Sequence, residues 1–248
     1  MRFRKGWVVI ACMLTVLLAG CQADSTNSSK EVGQMDQAEE KQLKEQAIQY
    51  IQKKYNKEFE VIEVDKGRVT GTIYIDGVVK DGEDTSISII WKKNDSIDDT
   101  YVSTLWTEEL KPEITSILNK HFEVRRVQSI TYSNGTKKSD YTGDVPSVFK
   151  VLENGGDSDY TLESTIRIYE NGGQYETGLR ELLKEIQSMN FNKFLIEIFV
   201  ADDKLKSAPK NIEESNYTLY RYNINIDDIQ KVDINNLDLD QYKTVIKH

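Results

Sequence analysis

Two histidines, two cysteines and 41 carboxylates are the residues on which acid–base, nucleophilic or metal chemistry in this chain would draw. His121 falls at the expected end of a helix, where an imidazolium favours the dipole. It therefore reads as a helix terminator rather than a general base, and His248 is the last residue of the sequence. No Gly-x-Ser-x-Gly elbow occurs. Two remote histidines cannot supply the three or four ligands that zinc requires. Gly155-Gly156 and Gly172-Gly173 are isolated turn signals, and neither opens a Gly-rich loop ending in Lys-Ser/Thr. Among so many carboxylates nothing marks one pair for glycoside hydrolysis. Asp157-x-Asp159 and Asp233-x-Asn235, with Asp238 and Asp240, set hard oxygens at short spacing. An EF-hand loop would need a third ligand, then Gly, where the later run has Leu237 and Asp238. Turn capping accounts for these residues instead. The expectation is a protein without cofactor or metal, and not an enzyme.

The N-terminus carries the sharpest signal. Arg2, Arg4 and Lys5 precede an uncharged apolar stretch over 7–18, too short to span about 30 Å of hydrocarbon as a helix but fitting a signal-peptide core. Leu18-Ala19-Gly20-Cys21 closes it, and Gln22-Ala23-Asp24-Ser25 ends the apolar run at once. This segment resembles the lipobox of bacterial lipoproteins. The resemblance implies that residues 1–20 are a cleaved signal peptide and that Cys21 becomes a diacylglycerated N-terminus. It further implies attachment to the cell membrane on its extracytoplasmic face; the envelope expected is of Gram-positive type. Cleavage would remove Cys12, leave Cys21 as the sole cysteine with its thiol lipidated, and take the net charge from −9 to −12. No disulfide would then be available, so stability must come from burial and backbone pairing. The acidic balance excludes nucleic acid, whose phosphate backbone dominates such binding, and holds the body off anionic lipid.

Residues 21–35, polar and without apolar period, read as a flexible tether, with a random-coil reach of about 20 Å. The folded part begins with Asp36, an N-cap with Glu39 at capping-box spacing. Leu43, Ala47, Tyr50, Ile51 and Tyr55 follow on one helical stripe. Strand patterns are expected over 59–64, from Val69 through Gly71 and Ile73 to Ile75, at Ile87, Ile89 and Trp91, and from Thr100 through Val102 and Thr104 to Trp106. Asp76-Gly77 and Asp81-Gly82 supply turns between them. A helix is predicted over 111–120, with Pro112 in its first turn.

The second half continues alike. A strand over 123–132 closes at Asn134-Gly135, and a short helix over 145–152 starts near Pro146. Tyr160, Leu162, Ile166 and Ile168 share one strand face. Leu179, Leu182, Leu183, Ile186 and Met189 form an amphipathic helix before an apolar strand over 194–201. Tyr217, Tyr220 and Tyr222 crowd a last strand over 217–226 around Arg221, with Tyr220, Tyr222, Ile224 and Ile226 on a core face. The tail beyond has weaker, partly helical periodicity. An offset of 72 residues matches Glu109, Leu110, Glu113, Ile114, Ser116 and Phe122 to Glu181, Leu182, Glu185, Ile186, Ser188 and Phe194. It divides the body near residue 122 into two similar lobes, 36–122 and 123–248. The fold class is α+β, with helices packed on mostly antiparallel sheets.

The function expected is a lipid-anchored envelope lipoprotein acting as a non-catalytic module for a protein or peptide partner. A small-molecule or glycan-binding lipoprotein is the alternative, followed by a carboxylate-based wall hydrolase.

Overall fold

A computed structural model describes residues 35–92, 96–135, 137–209 and 211–246. The Leu18–Cys21 motif, all but the last residue of the expected tether, and His248 lie outside the described residues.

Helix α1 (Gln37–Tyr55) starts at Asp36, whose carboxylate accepts from the Ala38 N–H at 3.4 Å. Leu43, Ala47, Ile51 and Tyr55 recur at three-to-four spacing and are buried. They pack on an antiparallel sheet in the order β1 (Glu58–Lys66), β2 (Ile73–Lys80), β3 (Thr85–Trp91), β4 (Ile97–Asp99). Phe59, Ile75, Val79, Ile87 and Ile89 supply its buried face.

Two sequence expectations fail here. Asp76-Gly77 is not a turn but lies within β2, paired to β3 through Asp76–Ser88 and Gly77–Ile87. The Phe59 ring lies over Gly77, where a Cβ would come within 2.5 Å of it. The glycine serves close packing, and Asp81-Gly82 alone makes the hairpin. The alternation read from Val69 begins only at Ile73, and Val69 is 95% exposed. Residues 67–72 instead form a turn closed by Gly67 N–H to the Thr72 carbonyl at 2.8 Å.

The largest correction concerns 100–120. The expected strand at Thr100–Trp106 and the helix from Lys111 are one helix, α2 (Tyr101–His121). Tyr101, Val102, Trp106, Leu110, Ile114, Ile117 and Leu118 fall on one buried stripe. That tertiary burial overrides the β-propensity of the Val-, Thr- and Trp-bearing first turns. Pro112 is an interior residue, on the exposed side. Having no N–H, it leaves the Glu108 carbonyl without its helical donor.

Asp99, at the end of β4, fixes where α2 begins. Its side chain is fully buried and accepts from the Tyr50 hydroxyl at 2.6 Å, the Tyr55 hydroxyl at 2.9 Å, Lys54 Nζ at 2.8 Å and the Tyr101 N–H at 3.0 Å. Burial first, and then the Asp99 charge, pushes both phenols above their ordinary value, so they remain donors.

Helix α2 also covers a second sheet, in the order β5 (Val124–Ser133), β6 (Thr161–Tyr169), β7 (Lys193–Ala201), β8 (Thr218–Ile226), β9 (Lys243–Val245). Only β6 and β7 pair in parallel, and α4 (Tyr175–Ser188) makes the crossover that a parallel pair needs. The short α3 (Val148–Glu153) packs on α2. The fold is thus α+β with mostly antiparallel sheets. One core runs through it, from Ile75 and Ile89 of the first sheet, across Leu110 and Ile114 of α2, to Leu162 and Ile198 of the second. The tail read as partly helical consists of 3-10 turns at Ile229–Lys231, Ile234–Asn236 and Asp240–Tyr242, followed by the edge strand β9. Among the described residues no helix is long and apolar enough to cross a membrane.

Helices α2 and α4 meet at Gly178, where an added Cβ would lie 2.4 Å from the His121 carbonyl oxygen and 3.0 Å from the Phe122 ring. Gly178→Ala should therefore cost about 1–3 kcal/mol by overpacking. The measurement is the urea midpoint, and an unchanged midpoint would show that α4 can shift away at no cost.

Candidate functional site

Alternation along the second sheet decides which side chains meet solvent. On β6, Leu162, Ser164, Ile166 and Ile168 are buried inward, so Glu163, Thr165, Arg167 and Tyr169 point to the other face. On β7, Phe194, Ile196, Ile198 and Val200 point in, and Leu195, Glu197 and Phe199 point out. On β8 the inward residues are Tyr222, Ile224 and Ile226, which leaves Arg221, Asn223 and Asn225 outward. The inner face is closed by the helices: Trp106 of α2 packs on Tyr132, and Tyr175 of α4 packs on Tyr222.

The register then aligns one row across the outer face. Arg126 pairs with Arg167, Arg167 with Phe199, Phe199 with Arg221, and Arg221 with Thr244. A bulge in β5 between Val124 and Arg126 adds Arg125 beside the row. The Arg167 and Arg221 guanidinium carbons lie 5.1 and 6.0 Å from the Phe199 ring centre, within cation–π range. Arg221 Nη2 pairs with Glu197 at 2.6 Å.

The segment between β7 and β8 folds over one end of this face. Leu205 packs there with Tyr169 and Ala201 in a second, small core. A 3-10 turn, Glu214–Tyr217, then delivers the Glu214 carboxylate to three arginines. Arg125 Nε stands 3.1 Å from it, Arg126 Nη2 3.2 Å and Arg167 Nε 3.3 Å. Arg167 is only 6% exposed and donates from Nη1 to Thr218 Oγ1 at 2.8 Å. Burial, with the like charge of Arg126 adding to it against Glu214, lowers the Arg167 pKa. Arg167 Nε and Glu214 Oε2 are both buried without a well-formed hydrogen bond. Three cations on one anion leave two positive charges unneutralised in a chain of net charge −9. Chemically, such a cluster can hold a carboxylate or phosphate group.

The residues singled out from sequence lie elsewhere. His121 does end α2, and its Nε2 lies 2.6 Å from Glu185 Oε2 on α4, beside Lys120 at 3.0 Å. A surface cleft of about 510 Å³ adjoins this tie, between Lys120, Tyr169, Gln174 and Glu181. Asp157 accepts from the Asp159 N–H at 2.9 Å and from the Tyr141 hydroxyl at 3.0 Å, and Asp159 pairs with Lys137. Asp233 and Asp238 cap the Asn235 and Asp240 N–H groups at 3.2 and 3.0 Å. Among the described residues no three His, Cys, Asp or Glu side chains converge as metal ligands would. Trp106 sits in the α2 core, its indole donating to the Pro146 carbonyl at 2.9 Å. Of the row itself, sequence reasoning noted only Arg221. The available signal was that Arg167 and Arg221 occupy the outward phase of strands whose inward phase is apolar.

No protein-family model matches the chain, and none of the curated proteins does. Among solved structures it is similar to a DUF5037 family protein from Ruminococcus gnavus ATCC 29149. That match has 16% identity, covers 65% of this chain and 76% of the other, and has a TM-score of 0.36.

The His121–Glu185 tie has a pH signature. The hydrogen bond to His121, then that from Lys120, holds the Glu185 carboxyl below its ordinary value. A lowered carboxyl contributes stability above its unfolded pKa, near 4.3, and loses it as the pH falls through the folded value. Glu185→Gln should lower the urea midpoint at pH 7, and the deficit should shrink as the pH falls below about 4.3 and vanish only once it is below the lowered folded value of Glu185. A deficit that persists there would assign the loss to packing rather than charge.

Proposed function

We propose that this chain is a lipid-anchored lipoprotein of the extracytoplasmic face that binds a protein or peptide partner without catalysis. In this reading Cys21 carries the lipid, residues 21–35 space the body from the membrane, and the outer face of the second sheet meets the partner. The observation that carries the binding reading is the row Arg126, Arg167, Phe199 and Arg221 on the sheet face opposite to α2 and α4. Guanidinium groups and aromatic rings are enriched at recognition surfaces because they combine directional bonding with large apolar area. Rigid strands hold their backbones in place, so ordering on binding is confined to the side chains. For the anchor, the support is the Leu18-Ala19-Gly20-Cys21 motif after an uncharged apolar run.

Two experiments test the two halves of this proposal. Cys21→Ala removes the thiol that would carry two acyl chains, and two signals are needed for stable attachment. The variant should accumulate as precursor or be shed, whereas the parent chain should partition into detergent at the mass of a lipidated Cys21 N-terminus. Maturation and retention of the variant like the parent would overturn the anchor. For binding, the doubly charge-reversed Arg126→Glu/Arg221→Glu chain should stay on the membrane but lose its partner on crosslinking in intact cells. An unchanged crosslinked species would remove the sheet face from the account.

A further inference from the structure

We propose that the partner presents an acidic peptide segment whose carboxylates replace that of Glu214 on Arg125 and Arg126, so that Glu214 is a built-in competitor for its own binding site. This rests on the reading of the sheet face as the binding surface and names the chemistry that the surface recognises.

The first observation is where the arginines are. The chain has 24 Lys and only 8 Arg, and of the six Arg beyond residue 5 four are Arg125, Arg126, Arg167 and Arg221. Lysine would suffice for solubility. The planar guanidinium is the group that grips a carboxylate with two parallel N–H bonds. Gathering like charges at one place in an acidic protein opposes folding unless an anion offsets them.

The second observation is that the offset is incomplete. Glu214 supplies one charge against three, and the buried atoms Arg167 Nε and Glu214 Oε2 face each other at 3.3 Å as an ion pair whose geometry falls short of a hydrogen bond. A single carboxylate cannot give all three guanidinium groups the two parallel bonds that each can make. Arg125 and Arg126 remain 36% and 53% exposed in their side chains, so a second carboxylate can reach them from solvent. Arg167, held by Thr218 and 6% exposed, fixes the floor of the site.

The third observation favours a peptide over a phosphate polymer or a lipid headgroup. Beside the arginines, Phe199 and Leu195 lie half-buried two strand positions either side of Glu197, and Asn223 and Asn225 stand opposite Glu197 and Leu195. Apolar side chains and amides alternating with charge suit an extended peptide that carries both acidic and apolar residues. A polyphosphate has nothing to place on Phe199 and Leu195.

The test uses the full-length chain in detergent and a fluorescent peptide of alternating Glu and Leu, with a Gln–Leu peptide as control. The parent chain should bind the acidic peptide in a salt-sensitive manner and ignore the control. Glu214→Gln should bind it about tenfold tighter, the worth of one charge-assisted hydrogen bond. Arg126→Gln should bind about tenfold weaker by the same measure. Should Glu214→Gln lose its circular dichroism spectrum, Glu214→Asp, which keeps the charge on a shorter arm, should still bind tighter than the parent. A folded Glu214 variant that binds no tighter overturns the competitor role. Binding of inorganic polyphosphate or phosphatidylglycerol vesicles in preference to the peptide overturns the occupant. If cellular crosslinking still depends on Arg126 and Arg221 in either case, the binding reading survives and this inference falls. If that dependence is missing, the binding reading falls with it.

Discussion

The buried carboxylate of Asp99 is the contact on which the arrangement of both sheets depends. Four donors from α1 and the start of α2 converge on it, and it lies where the first sheet ends and the helix shared by the two sheets begins. Lys54 is nearly as buried as its partner, so losing Asp99 would strand an ammonium in the interior, at a cost of about 3–5 kcal/mol. The network therefore specifies geometry more than it adds stability. It ties the axis of α2 to α1, and α2 in turn gives both sheets a common wall. Trp106, packed among Tyr132, Tyr141 and Tyr160, continues that wall into the second sheet.

The outer face follows from this closure. Once α2 and α4 occupy one side of β5 through β8, strand alternation obliges the other phase of each strand to face solvent. Arg126, Arg167, Phe199 and Arg221 then line up because the register aligns them, not because of their distance in sequence. The segment after β7 covers one end of the face with Leu205 and places Glu214 among the arginines. Its charge stabilises the cluster while taking the position that an external carboxylate would use.

Much of the scaffold is legible in the sequence where apolar period and burial agree. The α1 stripe with its Asp36 cap, the strand of Phe194, Ile196, Ile198 and Val200, and the inward phase of Tyr222, Ile224 and Ile226 are read directly. The reading fails where tertiary contacts override local preference. Thr100–Trp106 looks like a strand because β-branched and aromatic residues dominate it, yet its side chains fill space between two sheets and demand a helix. Asp76-Gly77 looks like a turn because a glycine needed for the Phe59 ring is indistinguishable from one needed for positive φ. The arginine row was illegible for a different reason. Its members lie up to 95 residues apart, from Arg126 to Arg221, and only strand order and register bring them together.

The central claim is that the outer face of the second sheet is where this protein meets a partner. A photocrosslinking residue placed at position 223 on that face, in the membrane-attached full chain, tests it directly, with position 62 on β1, also exposed, as the control. The account predicts an adduct from position 223 that an acidic Glu–Leu peptide suppresses, and none from position 62. An adduct from position 62 alone, or one from 223 that the peptide leaves untouched, would contradict it.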